Sequence, residues 1–348
     1  MDSVDSRSAV VSDVRVVAEI GANHGGSVQT AHRMIDALAD QGCSLVKFQI
    51  YTADELVADI DREVRWGAPG FEVTQTVGEM FDSVALPWDA FDEVFAHVRE
   101  RGMDPFGTPF SLAGLDRLMT LGTSRIKIAS SDVSYSSLLV ASAQTGLPVI
   151  LSVGKSTLAE ADLAVTTLEE SGCVDLTLLH TIAAYPTPMN QANLRNITTL
   201  RTAYPNCKIG FSDHTQGMVA SIVAVSLGAE MIERHVTLSQ DMGGPDDWFS
   251  LPIGDFGDFA GALRDAQDSL GTTRKRIMQA EAQGRRTGTR SLFFACDLPA
   301  GTALRPEHIV VLRPSTGLPP GLEGDVVGFS LSCDVRKGEP LGWNMFKP

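Results

Sequence analysis

The sequence predicts an α/β fold: a parallel (β/α)8 barrel of the TIM type followed by a small β-rich domain. Three observations point there. Short apolar runs alternate with amphipathic helical segments, giving eight candidate strands. Gly or Pro often marks the place where a helix stops, as at Gly42, Gly102, Gly122, Gly146 before Pro148, Gly172 and Gly228. Every apolar run also delivers polar residues at its C-terminal end, the end where such barrels gather their sites. A doubly wound open sheet shares the alternation, because strand count alone does not establish closure.

The runs span residues 15–20, 45–50, 103–108, 125–129, 148–153, 175–180, 207–212 and 229–235. Helical segments between them include 30–40, 88–101, 112–121, 158–170 and 217–227. Taken in order, the first run ends on Glu19 and opens into Gly21-Ala22-Asn23-His24-Gly25-Gly26. The second carries Lys47 and Gln49 and is followed by an insertion, 51–83, expected as a loop near the barrel mouth. The third ends Gly107-Thr108-Pro109-Phe110, the fourth is Lys127-Ile128-Ala129-Ser130-Ser131-Asp132, and the fifth ends Ser152-Val153-Gly154-Lys155. The sixth runs into His180 and Tyr185-Pro186-Thr187-Pro188, the seventh ends Ser212-Asp213-His214-Thr215, and the eighth ends Glu233-Arg234-His235. Around Thr272 the rhythm stops. The expected division is a barrel domain at 1–273, a polar, Arg-rich linker at 274–287, and a Pro- and Gly-rich small domain at 288–348. About 60 residues is small for independent stability, so that domain is expected to dock on a barrel, its own or a partner's.

Of the 348 residues 43% are hydrophobic, enough for a large core. The formal net charge of −15 argues against nucleic acid and anionic membrane as partners, and means that an anionic substrate needs a local cluster of Lys and Arg. Five scattered cysteines with no C-x-x-C pair argue against a zinc ribbon or disulfide framework. The polar N-terminus lacks an apolar signal core, and no apolar stretch approaches the ~20 residues of a bilayer span. The expected location is the cytoplasm.

Singly, these groups are ambiguous. The glycines of GANHGG lack G-x-G-x-x-G spacing and read as a turn admitting close backbone approach. Lys47 and Lys127 lie within apolar runs, pointing either into the barrel or outward past a helix. Inward, they pair with an anion, or form a Schiff base if desolvated. Thr108, Ser130 and Ser152 read as caps and turns when alone, and as an anion pocket when joined to two lysines. His214 and His235 close adjacent strands. They are either satisfied structural residues or two ligands of one labile divalent metal with water in its open positions.

Together the tags AEIGANHGG, VKFQIYT, GTPFS, KIASSD, ILSVGKST, LLHTIAAYPTP, IGFSDHTQG, IERHVTLS and MGGPD, followed by TRSLF, resemble the N-acylneuraminate (sialic acid) synthase family. The resemblance covers nearly the whole chain and implies a C-terminal antifreeze-like (SAF) domain. It implies a transferase that condenses phosphoenolpyruvate with an open-chain amino-sugar aldose, yielding a 2-keto-3-deoxy acid and phosphate. It assigns a divalent cation, most often Mn2+ with Mg2+ or Co2+ as alternatives, to His214 and His235. Lys47, Thr108, Lys127, Ser130, Ser152 and Ser212 are assigned to phosphoenolpyruvate, and Tyr185, Asp246 and Arg290 to the acceptor. Glu19, Glu233, His214 and His235 form the catalytic set, with Glu233 accepting the proton of the attacking water. Arg290 is expected to come from the partner of a domain-swapped homodimer.

Several positions depart from the family pattern. Ser131-Asp132-Val133-Ser134-Tyr135 replaces G-E-(I/L)-T-N, Ala183 stands where sialic acid makers carry Asn, and Asp247-Trp248-Phe249 replaces H-x-A. The G-G-P-D-x-x-F-S form is closer to the pseudaminic acid branch. The acceptor is therefore less defined than the chemistry. A class I aldolase with Lys127 or Lys47 as Schiff base, and a non-catalytic sugar-binding dimer, remain as alternatives.

Overall fold

The computed structural model describes residues 13–67, 70 and 72–347, so the polar N-terminal stretch lies outside the described residues. The chain divides into two units, up to Gly271 and from Thr272 onward. In the first, β1 (Arg15–Glu19), α1 (Val28–Asp40) and β2 (Leu45–Ile50) open the alternation. The insertion then contributes α2 (Ala53–Leu56), an antiparallel hairpin of β3 (Glu63–Trp66) and β4 (Val73–Thr76), and α3 (Val77–Val84). The expected loop is thus a structured excursion, its last helix fixed by a capping box between Thr76 and Glu79. The alternation resumes with α4 (Ala90–Glu100), β5 (Asp104–Pro109), α5 (Leu112–Thr120), β6 (Ile126–Ile128), α6 (Ser136–Gln144), β7 (Val149–Ser152) and α7 (Leu158–Glu170). It ends with β8 (Leu176–Thr181), α8 (Arg195–Ala203), β9 (Lys208–Asp213), α9 (Val219–Ser226), β10 (Met231–Thr237), a short β11 (Leu251–Pro252) and α10 (Phe256–Leu270).

The strands run β1-β2-β5-β6-β7-β8-β9-β10, and β10 pairs in parallel with β1 from Arg15↔Met231 to Glu19↔His235. That last pairing closes the barrel and excludes the open sheet. Because side chains alternate along a strand, register stacks the interior in layers. Val17, Leu45, Phe106, Ile150, Leu179 and Met231 form an apolar plug separate from the larger core under the helices. Two residues further along the same strands come Glu19, Lys47, Thr108, Ser152, Thr181 and Glu233, all buried. The plug seals the bottom, so polar groups of the next layer open only toward the C-terminal mouth.

In the second unit the stretch 274–287 carries most of α11 (Ala282–Gly288), whose Arg286 carbonyl accepts bonds from Ser315 N and Oγ at 3.3 and 3.1 Å. β12 (Ser291–Phe294) pairs antiparallel with β13 (Ile309–Leu312), and α12 (Glu323–Val326) follows. A small core of Leu292, Phe294, Leu304, Val326, Leu331 and Leu341 holds this β-rich fold. No helix among the described residues is long and apolar enough to cross a membrane.

Candidate active site at the barrel mouth

A cavity of about 330 Å3 opens above the plug, and every barrel residue assigned from the sequence to the catalytic, donor, acceptor or metal set lines it. Glu19, Lys47, Thr108, Lys127, Ser130, Ser152, Ser212 and Glu233 supply its floor and walls, and Tyr185, His214, His235 and Asp246 the remainder. Arg290 belongs to the second unit, where its Nη1 donates to Val311 O at 3.0 Å.

Lys47 sits between two carboxylates, 2.9 Å from Glu233 Oε2 and 3.3 Å from Glu19 Oε2, all nearly solvent-free. Burial alone drives an ammonium down and carboxyls up. Here it is outweighed for Lys47, whose pKa is raised by facing Glu19 and Glu233. For Glu233, burial is overcome by Lys47, Lys127 and a 2.9 Å bond from Ser212 Oγ, so it is held low and ionised. For Glu19 burial wins, helped by the Glu233 charge, over Lys47 and the 2.8 Å bond from Gln49. The two acids are therefore pushed apart, one toward carrying a proton and one toward accepting it. Lys127 is fully inward; burial lowers it to about 8, and its Nζ donates to Ile128 O at 2.9 Å. Thr108 Oγ1 is buried with no hydrogen-bond partner among the described residues.

The imidazoles of His214 and His235 stand 5.4 Å apart between ring centroids. His214 Nδ1 is 2.9 Å from Ile182 O, which fixes the proton there and leaves Nε2 as the lone-pair nitrogen. Burial lowers His214 to about 4 and, with the neighbouring His214 and Lys47, puts His235 well below its usual value. His235 Nδ1 is buried without a hydrogen bond among the described residues, 3.5 Å from Asp246 Oδ2. Two neutral imidazoles, one of them with the Asp246 oxygen at 3.5 Å, offer a pair of nitrogen donors that suits a labile divalent cation with water in its other positions; among the described residues no third side chain completes a ligand cluster.

The glycine turn reads as local structure. Gly21 has φ +53°, and a Cβ there would crowd Glu19 Oε1 at 3.2 Å, Gln49 Nε2 at 3.3 Å and His235 Nδ1 at 3.3 Å. Asn23 Nδ2 donates to Val236 O and Ser250 Oγ, which ties the turn to β10 and the acidic loop. In that loop Asp246 faces the cavity and is raised to about 7 by burial and by Glu19 and Asp247. Asp247 and Phe249 are buried, and Phe249 packs against Tyr185 and His235 with ring centroids 5.7 Å away.

Sequence reasoning noted Gln49, Phe110 and Lys155 without assigning them to the site, and missed Thr181 and Phe81. Gln49 and Phe110 follow Lys47 and Thr108 by two residues, so alternation alone could have found them. Phe81 arrives from α3 of the insertion, for which no local signal exists.

The fold and this mouth define a (β/α)8-barrel enzyme whose site sets lysines, hydroxyls and two acids beside two histidines. Residues 34–275 match the NeuB family model and residues 289–347 the SAF domain model, so the chain belongs to the NeuB family and is a C–C bond-forming synthase. It is 30% identical to the N,N'-diacetyllegionaminic acid synthase of Legionella pneumophila, over 94% of this chain and 93% of that one. It is 31% identical to the pseudaminic acid synthase of Helicobacter pylori, over 94% and 96%. A crystal structure of the N-acetylneuraminic acid synthetase of Leptospira borgpetersenii in complex with citrate superimposes with a TM-score of 0.70 at 29% identity, covering 78% of this chain and 90% of that one.

Proposed function

We propose that this protein condenses phosphoenolpyruvate with an open-chain amino-sugar aldose to give a nonulosonic acid and inorganic phosphate. The single observation that carries the reading is one cavity holding two inward lysines, three flanking hydroxyls and a neutral histidine pair. Lys127, Thr108, Ser130 and Ser152 bind the anionic donor, with Lys47 and Ser212 beside it. Tyr185, Asp246 and, from the small domain of a second copy in a domain-swapped homodimer, Arg290 hold the acceptor.

His214 and His235 would hold a divalent cation, Mn2+ first and Mg2+ or Co2+ as alternatives, which would supply Lewis-acid polarisation of the acceptor's carbonyl oxygen. Carbon 3 of the enol attacks the aldehyde carbon. Glu19, its pKa raised, delivers a proton to the new alkoxide. Water adds at carbon 2 and passes one proton to ionised Glu233; the tetrahedral intermediate then collapses to the ketone as the bond between carbon 2 and the phosphate oxygen breaks, the remaining hydroxyl proton leaving with the phosphate. Lys47 is held protonated, ion-paired to ionised Glu233 at 2.9 Å with Glu19 at 3.3 Å on its other side, which disfavours it as a Schiff-base nucleophile. An apolar face of Ala183, Phe81, Phe110 and Tyr185 favours an acceptor carrying acyl or deoxy carbons, as in products of the pseudaminic and legionaminic kind.

The test is a phosphate-release screen with phosphoenolpyruvate, Mn2+ and mono- and diacetamido aldoses, followed by mass detection. Acceptor-dependent phosphate with the mass of a nine-carbon keto acid is expected. Absence of turnover with every aldose, or a borohydride-trapped adduct on Lys127, overturns the reading.

A further inference from the structure

Lys155 and Asn193 are the non-glycine residues with positive φ among the described residues, Lys155 at +55°. A residue with a Cβ resists that conformation, and such strain collects where ligand contacts require it. Lys155 follows β7, and its side chain lines the mouth cavity with Lys127, Ser130 and Ser152. The residue before it explains the placement. Gly154 N donates to Ser130 Oγ at 3.1 Å, and a Cβ at 154 would stand 2.7 Å from Thr181 Cγ2. The loop is therefore pressed between the ends of β6 and β8 and turns residue 155 over the opening. Lys155 is exposed; among the described residues no hydrogen bond or close ion pair engages its ammonium, and the nearby charge it feels is the Asp132 carboxylate.

Charge gives this cation a task. An enol phosphate with a carboxylate carries about three negative charges near neutral pH. Three ammonium groups line the cavity, but Lys47 is engaged by Glu19 and Glu233, which leaves Lys127, bonded to Ile128 O, as the inner one without a close ion pair among the described residues. In a chain of net charge −15, one free cation under-compensates a trianion. Ala183 on the neighbouring wall offers no polar group in place of a further cation.

We infer that Lys155 is a third cation for phosphoenolpyruvate, binding its phosphate from the rim beside Ser130 and Ser152. The inference rests on the functional reading above and adds a residue to it.

The experiment is direct titration of phosphoenolpyruvate, without acceptor, into wild type, Lys155→Met, Lys155→Arg and Lys155→Gly, alongside steady-state kinetics and melting curves. Lys155→Met is expected to weaken phosphoenolpyruvate binding about tenfold or more, the scale of a charge-assisted contact, and to weaken inhibition by inorganic phosphate in parallel. Lys155→Arg restores most of the affinity, and the acceptor KM stays within about twofold. Lys155→Gly relieves the left-handed backbone, so it melts no lower than wild type while losing the same affinity, which separates charge from folding. Unchanged phosphoenolpyruvate affinity in both Lys155→Met and Lys155→Gly overturns the assignment, as does a change confined to the acceptor KM. A wild-type chain that binds no phosphoenolpyruvate overturns the functional reading itself, a distinguishable result.

Discussion

Arg234 Nη1 lies 3.1 Å from Asp213 Oδ2, with both side chains almost wholly removed from solvent. The two residues are direct partners in the β9–β10 register, and each immediately precedes a histidine of the site, His214 or His235. Alternation turns this pair toward the helical shell, where Asp213 also accepts bonds from Ser221 Oγ and Thr215 N, and turns the imidazoles toward the mouth. The register thus sets the two histidines level, and the ion pair braces the two strands behind them. Arg234→Met leaves a buried carboxylate without its cation and is expected to cost about 3–5 kcal/mol in urea unfolding. The half-exposed pair of Lys208 and Asp175 is the control, and Lys208→Met should cost at most about 1 kcal/mol. Equal losses in the two variants would refute the buried pair's special weight.

Both imidazoles are neutral at neutral pH, because burial holds His214 near 4 and His235 well below its usual value. Their lone pairs are available to a cation without displacing protons from the rings. His214→Ala and His235→Ala should each weaken Mn2+ binding by more than about 100-fold, since changes behind metal ligands alone cost about 10–100-fold. Chelation should abolish turnover, with Mn2+ restoring it, while phosphoenolpyruvate still binds in a calorimeter. Full activity after exhaustive chelation removes the metal from the reaction.

How much of this was legible in the sequence follows from period two. Glu19, Lys47, Thr108, Ser152 and Glu233 sit two residues beyond Val17, Leu45, Phe106, Ile150 and Met231, so plug and polar layer are written in each strand separately. Closure was not, because the β1–β10 pairing joins residues more than 200 positions apart, and no local pattern encodes it. Phe81 was hidden for a similar reason, since it depends on how the hairpin of β3 and β4 hands the chain to α3. The Arg234–Asp213 pair was hidden because adjacent acid-His and Arg-His steps read as site chemistry on both faces. The departures at Asp247 and Phe249 looked like changes in acceptor contacts, yet both are buried supports of the loop.

Lys127 sets an alkaline limit. Burial lowers its pKa to about 8, so the ammonium is present below that value and lost as pH rises through it. An anion prefers the charged form, so phosphoenolpyruvate affinity should be greatest below about pH 8 and fall by up to about tenfold per pH unit above it. Calorimetry in buffers of different ionisation enthalpy should show proton uptake on binding at pH 9 in excess of that at pH 7. No difference in uptake places the titrating group elsewhere.

Asp247 holds the acidic loop so that its neighbour can serve the cavity. Its Oδ1 accepts from Thr237 Oγ1 at 2.6 Å and its Oδ2 from Gly244 N at 2.8 Å, while the Asp246 carbonyl accepts from Ser250 Oγ at 2.6 Å. Those bonds leave the Asp246 carboxylate facing His235 at 3.5 Å. Asp247→Ala deprives a buried hydroxyl and a backbone N–H of their acceptor, at an expected cost of about 1–3 kcal/mol. The functional consequence should be selective. The acceptor KM should rise because Asp246, proposed to hold the acceptor, is released, whereas phosphoenolpyruvate, proposed to bind at Lys127 and Thr108, should keep its affinity. If both ligands weaken together, the loop supports the whole mouth, and the division of the cavity into a donor wall and an acceptor wall fails.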